Sequence, residues 1–427
     1  MVSWTGFAKK SPQERRQALK NNQALSPASF EKLNKEELLP LETANQMTEN
    51  LIGRLALPMS LAPDFLVNGQ TYNLPMVTEE PSVVAAASYA AKLIKRSGGF
   101  TTEIHQRQML GQVALTGCSD WQSAKEAILA GKADLIDLAN QAHPSIVKRG
   151  GGARELTVEQ KENFLIVYLA VDTQEAMGAN MVNTMMEALV PKLEELSGGQ
   201  SLMAILSNYA TDSLVTAQCA VDLRFLSRNK EEAKKLAEKL EQASQLAQID
   251  PYRASTHNKG IFNGIDALVL ATGNDWRAIE AGGHTYAAAS GSYRGLSQWT
   301  YDKEAGKVKG RLTLPMPIAT KGGSIGLNPS VTVAFDLLGQ PDAKTLAGLI
   351  VSLGLAQNFA ALKALVGKGI QAGHMKLQAK SLALLAGATE REIPPLVQEL
   401  LAAQHLNLET AQKILDDIRN NPNAKRT

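Results

Sequence analysis

Cysteine is almost missing from this chain of 427 residues: only Cys118 and Cys219 occur, without CxxC spacing or a framework of pairs. That argues against disulfide stapling and a structural zinc site, and it predicts a reducing compartment. Net charge is missing as well. With 44 basic and 42 acidic side chains the formal charge is +2, and no basic stripe gathers, so nucleic acid is not an expected partner. The longest apolar run, "LAGLIVSLGLA" at Leu346–Ala356, falls short of the roughly 20 residues a spanning helix needs. The opening "MVSWTGFAKKSPQERRQ" has basic residues but no apolar stretch after them, unlike a secretory signal. A cytoplasmic protein without a membrane anchor is expected. Common fingerprints are absent too: there is no GxGxxG, no GxxxxGK[ST] and no HExxH, and the six histidines lack metal spacing, so no metal is expected. The one GxSxG match, "GGSIG" at Gly322–Gly326, precedes "LNPS" where a hydrolase elbow would open a helix, and reads as chance.

What is present is an ordinary globular balance, 44% apolar and 20% charged, on a chain long enough for two or three domains. The first 45 or so residues read as a polar, helix-friendly surface arm. "DFLVNGQTYNLPMV" reads as a hairpin turning at Asn68-Gly69. A helix over Val83–Ile94 follows, with Pro81 in its first turn, apolar on nearly all sides and therefore buried in the core or against another subunit. Between about Arg107 and Ser207 lies an inserted domain, with helices near Ser123–Leu129 and Asp134–Gln141, the strand "FLIVYLAV", and a helix from Ala179 that Pro191 should kink or break. A mixed α/β pattern returns to about Gly373, including the amphipathic helix "RNKEEAKKLAEKLEQASQLAQ". Three helical patterns close the chain, Lys376–Ala386, Glu390–Gln404 and Glu409–Asn420, with Thr389 and Glu392 spaced as a capping box.

Several stretches have residues suited to chemistry, each with a bland alternative. Glu79 and Glu80 in "PMVTEEPS" stand at a helix start in apolar surroundings, where burial raises a carboxyl pKa, but both also suit simple capping. In "YRASTHNKGIFNG", read as a polar loop, Arg253 and Lys259 suit a carboxylate or phosphate, with Asn263 beside them. "IDALVLATGND" reads as a strand with Asp275 after it, a placement that fits a functional group, an Asx turn or a helix cap. His374 in "QAGHMK" lies where the main body meets the helical tail. In "EAMGANMVNTM", Ala176, Gly178 and Ala179 clear a helix start for a ligand phosphate or for close packing, and Asn180 with Asn183 favours a polar ligand.

In order, "ENLIG" (Glu49–Gly53), "PMVTEEPSVVAA", "EAMGAN", "ILSNYATD", "RASTHNKGIFNGIDALVLATGNDW" and the "GH" before the helical tail resemble the motifs of bacterial, class II 3-hydroxy-3-methylglutaryl-CoA reductases, over nearly the whole chain. The resemblance implies an α/β (α+β) fold. Its large mixed α/β substrate domain would comprise 1–106 and 208–374. A small non-Rossmann, ferredoxin-like dinucleotide domain would be inserted at 107–207, and a mobile three-helix flap would follow at 375–427. It implies a homodimer, with possible further assembly, whose active sites lie at the subunit interface. The catalytic set would be Glu80, Lys259, Asp275 and His374, with Arg253, Thr256 and Asn263 contacting substrate. Glu175, Ala176, Met177, Gly178, Ala179, Asn180 and Asn208 would bind the nicotinamide nucleotide. The family motif usually begins with Asp where Glu175 stands. At His143, NADH-preferring members have an aspartate; its absence, with Lys148 and Arg149 nearby, favours NADPH, with NADH still usable.

The implied reaction reduces 3-hydroxy-3-methylglutaryl-CoA to mevalonate and CoA in two hydride transfers, through mevaldyl-CoA and mevaldehyde. In that reading Lys259 polarises the carbonyl, His374 protonates the departing CoA thiolate, Glu80 supplies the later proton, and Asp275 holds the network between Lys259 and Glu80. Two other readings fit some of these residues: an acyl-CoA hydrolase or lyase using the same Lys, Glu and Asp, and a non-catalytic CoA-binding dimer.

Overall fold

The computed structural model describes residues 4, 6–367 and 371–420. Its strands, in chain order, are β1 (Met59–Val67), β2 (Gln70–Val77), β3 (Phe100–Ile104), β4 (Met109–Thr116), β5 (Gly152–Lys161), β6 (Phe164–Asp172), β7 (Gln200–Ser207), β8 (Leu214–Asp222), β9 (Ser297–Asp302) and β10 (Lys307–Pro315). The helices of the first half are α1 (Pro12–Asn21), α2 (Pro27–Asn34), α3 (Leu41–Met47), α4 (Val83–Arg96), α5 (Trp121–Ala130), α6 (Lys132–Ala142), α7 (Pro144–Val147) and α8 (Ala179–Ser197). Those of the second are α9 (Lys230–Ile249), α10 (Pro251–Ala271), α11 (Trp276–Ala287), α12 (Pro329–Leu338), α13 (Ala343–Val366), α14 (Gln371–Leu385), α15 (Ile393–Ala402) and α16 (Leu408–Asn420).

Six strands form one sheet in the order β2-β1-β3-β8-β10-β9, with β1 and β3 parallel and the other pairs antiparallel. The hairpin turns at Asn68 and Gly69, whose φ values of 49° and 81° are the positive pair that a two-residue turn requires. Helices α4, α9, α10 and α13 share one core with this sheet. The remaining strands make a second sheet, β5-β6-β4-β7, reached in the chain order β-α-β-β-α-β of ferredoxin-like units. Met181, Val182, Met185, Met186, Leu189 and Leu193 of α8 fill the space above it. Pro191 does not end α8, which runs on to Ser197.

Four other expectations change. The apolar run at Leu346–Ala356 belongs to α13, a 24-residue helix long and apolar enough to cross a membrane; it is instead the core helix, 67% of its most apolar window being buried inside the protein. Pro81 lies outside α4, because Ser82 takes a left-handed φ of 77° and the helix starts at Val83. Only part of α4 is buried, through Val83, Ala87, Ala90, Ala91, Leu93 and Ile94, while Tyr89 is exposed. The Thr389 amide and hydroxyl both donate to Glu392, but this turn precedes α15, whose first residue is Ile393.

The largest correction concerns α10. The stretches read as a polar loop and a strand are one continuous helix, opened by Pro251 and capped by Asp250, whose carboxylate accepts the Tyr252 and Arg253 amides. Its inner face buries polar groups among the aliphatic ones. Asn258 donates to the Arg294 carbonyl and accepts the Leu296 amide, and His257 bonds to Ser297 at 2.7 Å. Those buried polar side chains masked the helical period. Gly264 lets α13 approach closely: a Cβ there would meet the Leu353 carbonyl oxygen at 3.0 Å.

Candidate active site

Since α10 is helical, Arg253, Thr256, Lys259 and Asn263 recur every three or four residues and share one face. That face borders a groove of about 1190 Å³ with the start of α4, a solvent-facing side of α9 that includes Lys235 and Lys239, and the last turns of α13. Glu80 reaches the groove from the opposite side, at the turn before α4. Its carboxylate accepts from the Lys259 ammonium at 2.5 Å, joining residues 179 positions apart in the chain. Glu79 is exposed. Glu80 is not the buried carboxyl expected from sequence: 38% of its side chain is exposed, against 60% for Lys259. Arg253 is half-buried and pairs with no carboxylate among the described residues, so its guanidinium is free for an anion.

Asp275 caps α11, accepting the Arg277 and Ala278 amides and pairing with the Arg277 guanidinium at 3.2 Å. It pairs with neither Lys259 nor Glu80 here, so the expected three-residue network is a pair. His374 lies in the first turn of α14. Its side chain is outside the described residues.

The stretch 175–180 forms the entrance to α8. Gly178 takes φ 88° as the N-cap and provides no side-chain acceptor, leaving the first amides of α8 available to an anion. A Cβ on Gly178 would run into Thr173. Ala176, Met177 and Ala179 are half-buried beside it and Asn180 is exposed, whereas Asn183 is spent on the Leu206 amide at 2.9 Å and does not face a ligand. Glu175 points away from the helix entrance, its carboxylate accepting from the Thr320 hydroxyl and the Ala343 amide. His143 joins α6 to α7 and contacts Ser145 at 3.2 Å, ahead of exposed Lys148 and Arg149. This loop borders the α8 entrance, since a Cβ on Gly151 would meet the Asp172 carbonyl at 2.5 Å and Gln174 at 3.0 Å. Asn208 is exposed past the end of β7, with its carbonyl so close to α11 that a Cβ on Gly282 would lie 2.7 Å from it.

A sequence model of the family described as hydroxymethylglutaryl-coenzyme A reductase matches residues 11–379. A solved 3-hydroxy-3-methylglutaryl-coenzyme A reductase from Streptococcus pneumoniae is 63% identical, with a TM-score of 0.86 over 98% of this chain and 100% of that one. A second structure from the same organism, TM-score 0.83 over 96% of this chain and 100% of that one at 63% identity, is described as the class II enzyme bound to NADPH in open conformations. The chain belongs to the class II hydroxymethylglutaryl-coenzyme A reductase family. The Archaeoglobus fulgidus reductase is 40% identical over 97% of this chain and 94% of its own length. A probable reductase from Borreliella burgdorferi is 34% identical over 97% and 95%.

Sequence reasoning missed two groups of this reductase-family site. His257 Nδ1 and Gln357 Oε1 are buried without a partner, and both residues border the groove. Burial, with the Arg253 charge beside it, pushes His257 down to about 3, so it is a neutral hydrogen-bonding group. No sequence signal marked either: His257 sits in a stretch that reads as a polar loop, and Gln357 sits among the apolar residues of α13. Just ahead of the Gly322–Gly326 stretch, Thr320 and Lys321 donate their amides to the Glu175 carbonyl, which ties the residues leading into that stretch to the α8 entrance.

Further along α10, Asp266 is pushed up to about 8 by burial and by the Glu280 carboxylate next to it. A folded-state value above the ordinary 3.8 means that the folded chain retains a proton the unfolded chain loses. Stability is therefore full below about pH 4 and falls as pH rises to about 8. Asp266→Asn should raise the thermal midpoint at pH 9 and leave it nearly unchanged at pH 4, measured by melts across that range. Equal shifts at both ends would show that ionisation is not the cause.

Proposed function

We propose that this chain reduces 3-hydroxy-3-methylglutaryl-CoA to mevalonate and CoA, with NADPH as reductant. The supporting observation is the Glu80–Lys259 pair, a carboxyl and an ammonium in contact inside a groove that also holds Arg253, without a carboxylate partner among the described residues, and the Asn263 amide. A groove of this size accommodates an acyl-CoA arm. The uncapped start of α8 fits a nucleotide phosphate by the same reasoning. Bound NADPH supplies hydride to the carbonyl carbon in each of two reductions.

Lys259 holds its ammonium against the thioester oxygen, where negative charge grows during the first reduction. Arg253 and Asn263, fixed by the same helix, orient the acyl group. His374, at the start of α14, protonates the departing thiolate so that it cannot re-add to the aldehyde. Glu80 donates the proton that the second reduction requires, and closure of the groove over substrate excludes the water that now reaches its carboxyl. His143, with Lys148 and Arg149, favours a 2′-phosphate on the nucleotide. The assembly is a homodimer, a reading supported by Ile52 and Leu55 on the 51–58 stretch, outside any helix or strand, and Leu202, Met203 and Ile205 on edge strand β7, all exposed apolar residues.

The test is absorbance of the reduced nicotinamide with purified protein and 3-hydroxy-3-methylglutaryl-CoA. Two NADPH oxidised per mevalonate formed, faster than with NADH, is the expected result. Release of CoA thiol without nucleotide oxidation would instead make the protein a hydrolase. His374→Ala should lower turnover of the thioester by about 10²-fold and leave free mevaldehyde reduction within about threefold, since the aldehyde has no thiolate to expel. Parallel losses on both substrates would remove the thiolate role.

A further inference from the structure

The segment that joins the two sheets contains a half-buried arginine which the chemistry above does not use. Arg107 lies between β3 and β4, and its guanidinium donates to three backbone carbonyls: Gln174 at 2.6 Å, Ala176 at 3.1 Å and Ile318 at 2.6 Å. Two of those belong to the loop that delivers the chain to α8. The third belongs to the segment after β10, in the body that holds the groove. Glu175, between the two clasped carbonyls, fastens the same loop from the other side. Its carboxylate takes the Thr320 hydroxyl and the first amide of α13, and its carbonyl takes the Thr320 and Lys321 amides. The far end of α13 lines the groove.

We propose that Arg107 and Glu175 are positioning residues that fix the entrance of α8 relative to the groove, and so set where the nucleotide is presented to the acyl-CoA. Neither touches a ligand. The arrangement explains why an arginine is used: a planar fork reaches the three carbonyls from two separate nitrogens in fixed directions, whereas the donors of an ammonium diverge from one nitrogen on a flexible stem. It also explains why Glu175 turns away from the ligand-facing amides. Its charge-assisted bonds hold the loop from behind, where a helix N-terminus and a hydroxyl receive it. The proposal rests on the nucleotide reading of the α8 entrance.

The test compares Arg107→Met, Arg107→Lys and Glu175→Gln with the wild-type protein, using fluorescence titration for NADPH affinity, separate titration for 3-hydroxy-3-methylglutaryl-CoA, and steady-state kinetics. Arg107→Met should weaken NADPH at least about tenfold, leave acyl-CoA affinity within about twofold, and raise KM for NADPH more than it lowers kcat. Arg107→Lys, keeping the charge and one or two of the bonds, should recover part of the loss. Should Arg107→Met not fold, the same ordering is read from Arg107→Lys and Glu175→Gln, each about threefold weaker for NADPH alone. Unchanged NADPH affinity in all three variants overturns the proposal, and so does parallel loss of both ligands, which a general weakening of the fold would give. Wild-type protein that fails to bind NADPH overturns the nucleotide reading itself, before any variant is compared.

Discussion

Lys259→Ala should abolish reduction of both the thioester and free mevaldehyde, by about 10²- to 10³-fold or more in kcat. Both substrates develop negative charge on a carbonyl oxygen, and Lys259 is the cation aimed into the groove opposite Glu80. The loss should not come from unfolding. At 60% exposure the lysine contributes little to the core, and its pairing with a partly exposed carboxylate stabilises the fold by less than about 1 kcal/mol. Circular dichroism and a thermal midpoint within a few degrees of wild type check that point, and kcat on the two substrates checks the chemistry. Mevaldehyde reduction at near wild-type rate would confine Lys259 to the first reduction.

Glu80→Gln keeps the shape of the side chain and removes its proton chemistry. Turnover should fall about 10²- to 10⁴-fold, the range for a positioned acid or base, and free mevaldehyde should suffer at least as much as the thioester. The amide still fits the turn where the Glu80 backbone N–H donates to the Thr78 hydroxyl at 3.2 Å, so folding should be preserved. Kinetics on both substrates with a melting curve decide the matter. Wild-type turnover in this variant would reduce Glu80 to a neighbour of Lys259 with a local structural role.

Legibility in the sequence followed the range of the interactions involved. Asn68-Gly69 declared its hairpin because two adjacent residues decide a turn. The stripe of Ala233, Leu240 and Ala247 was equally plain, since one solvated and one buried face make a clean helical period in α9. Helix α10 failed that rule on both faces: His257 and Asn258 face inward with their own polar partners, while Arg253, Thr256 and Lys259 face a groove rather than bulk solvent. Its aliphatic second half, surrounded by α13 and the sheet, has no polar side from which a period could be counted. The candidate site residues were legible as a set of motifs, but their convergence was not. Nothing local in "VTEEPS" tells that Glu80 meets a lysine 179 residues away, whereas a helix cap was among the readings "GNDW" offered for Asp275, because a cap is settled by adjacent residues.

Four of the five candidate site groups on the groove, Arg253, Thr256, Lys259 and Asn263, hang from a single rigid rod, and that limits how this gene can vary. Each residue along α10 advances the azimuth by roughly 100°, so one codon inserted or deleted between Thr256 and Asn263 would swing every later side chain about a quarter-turn out of alignment. Point substitutions can drift at the positions that do not face the groove, but length cannot. Tolerated insertions should collect in the connections around the sheets, and none should survive inside 253–263.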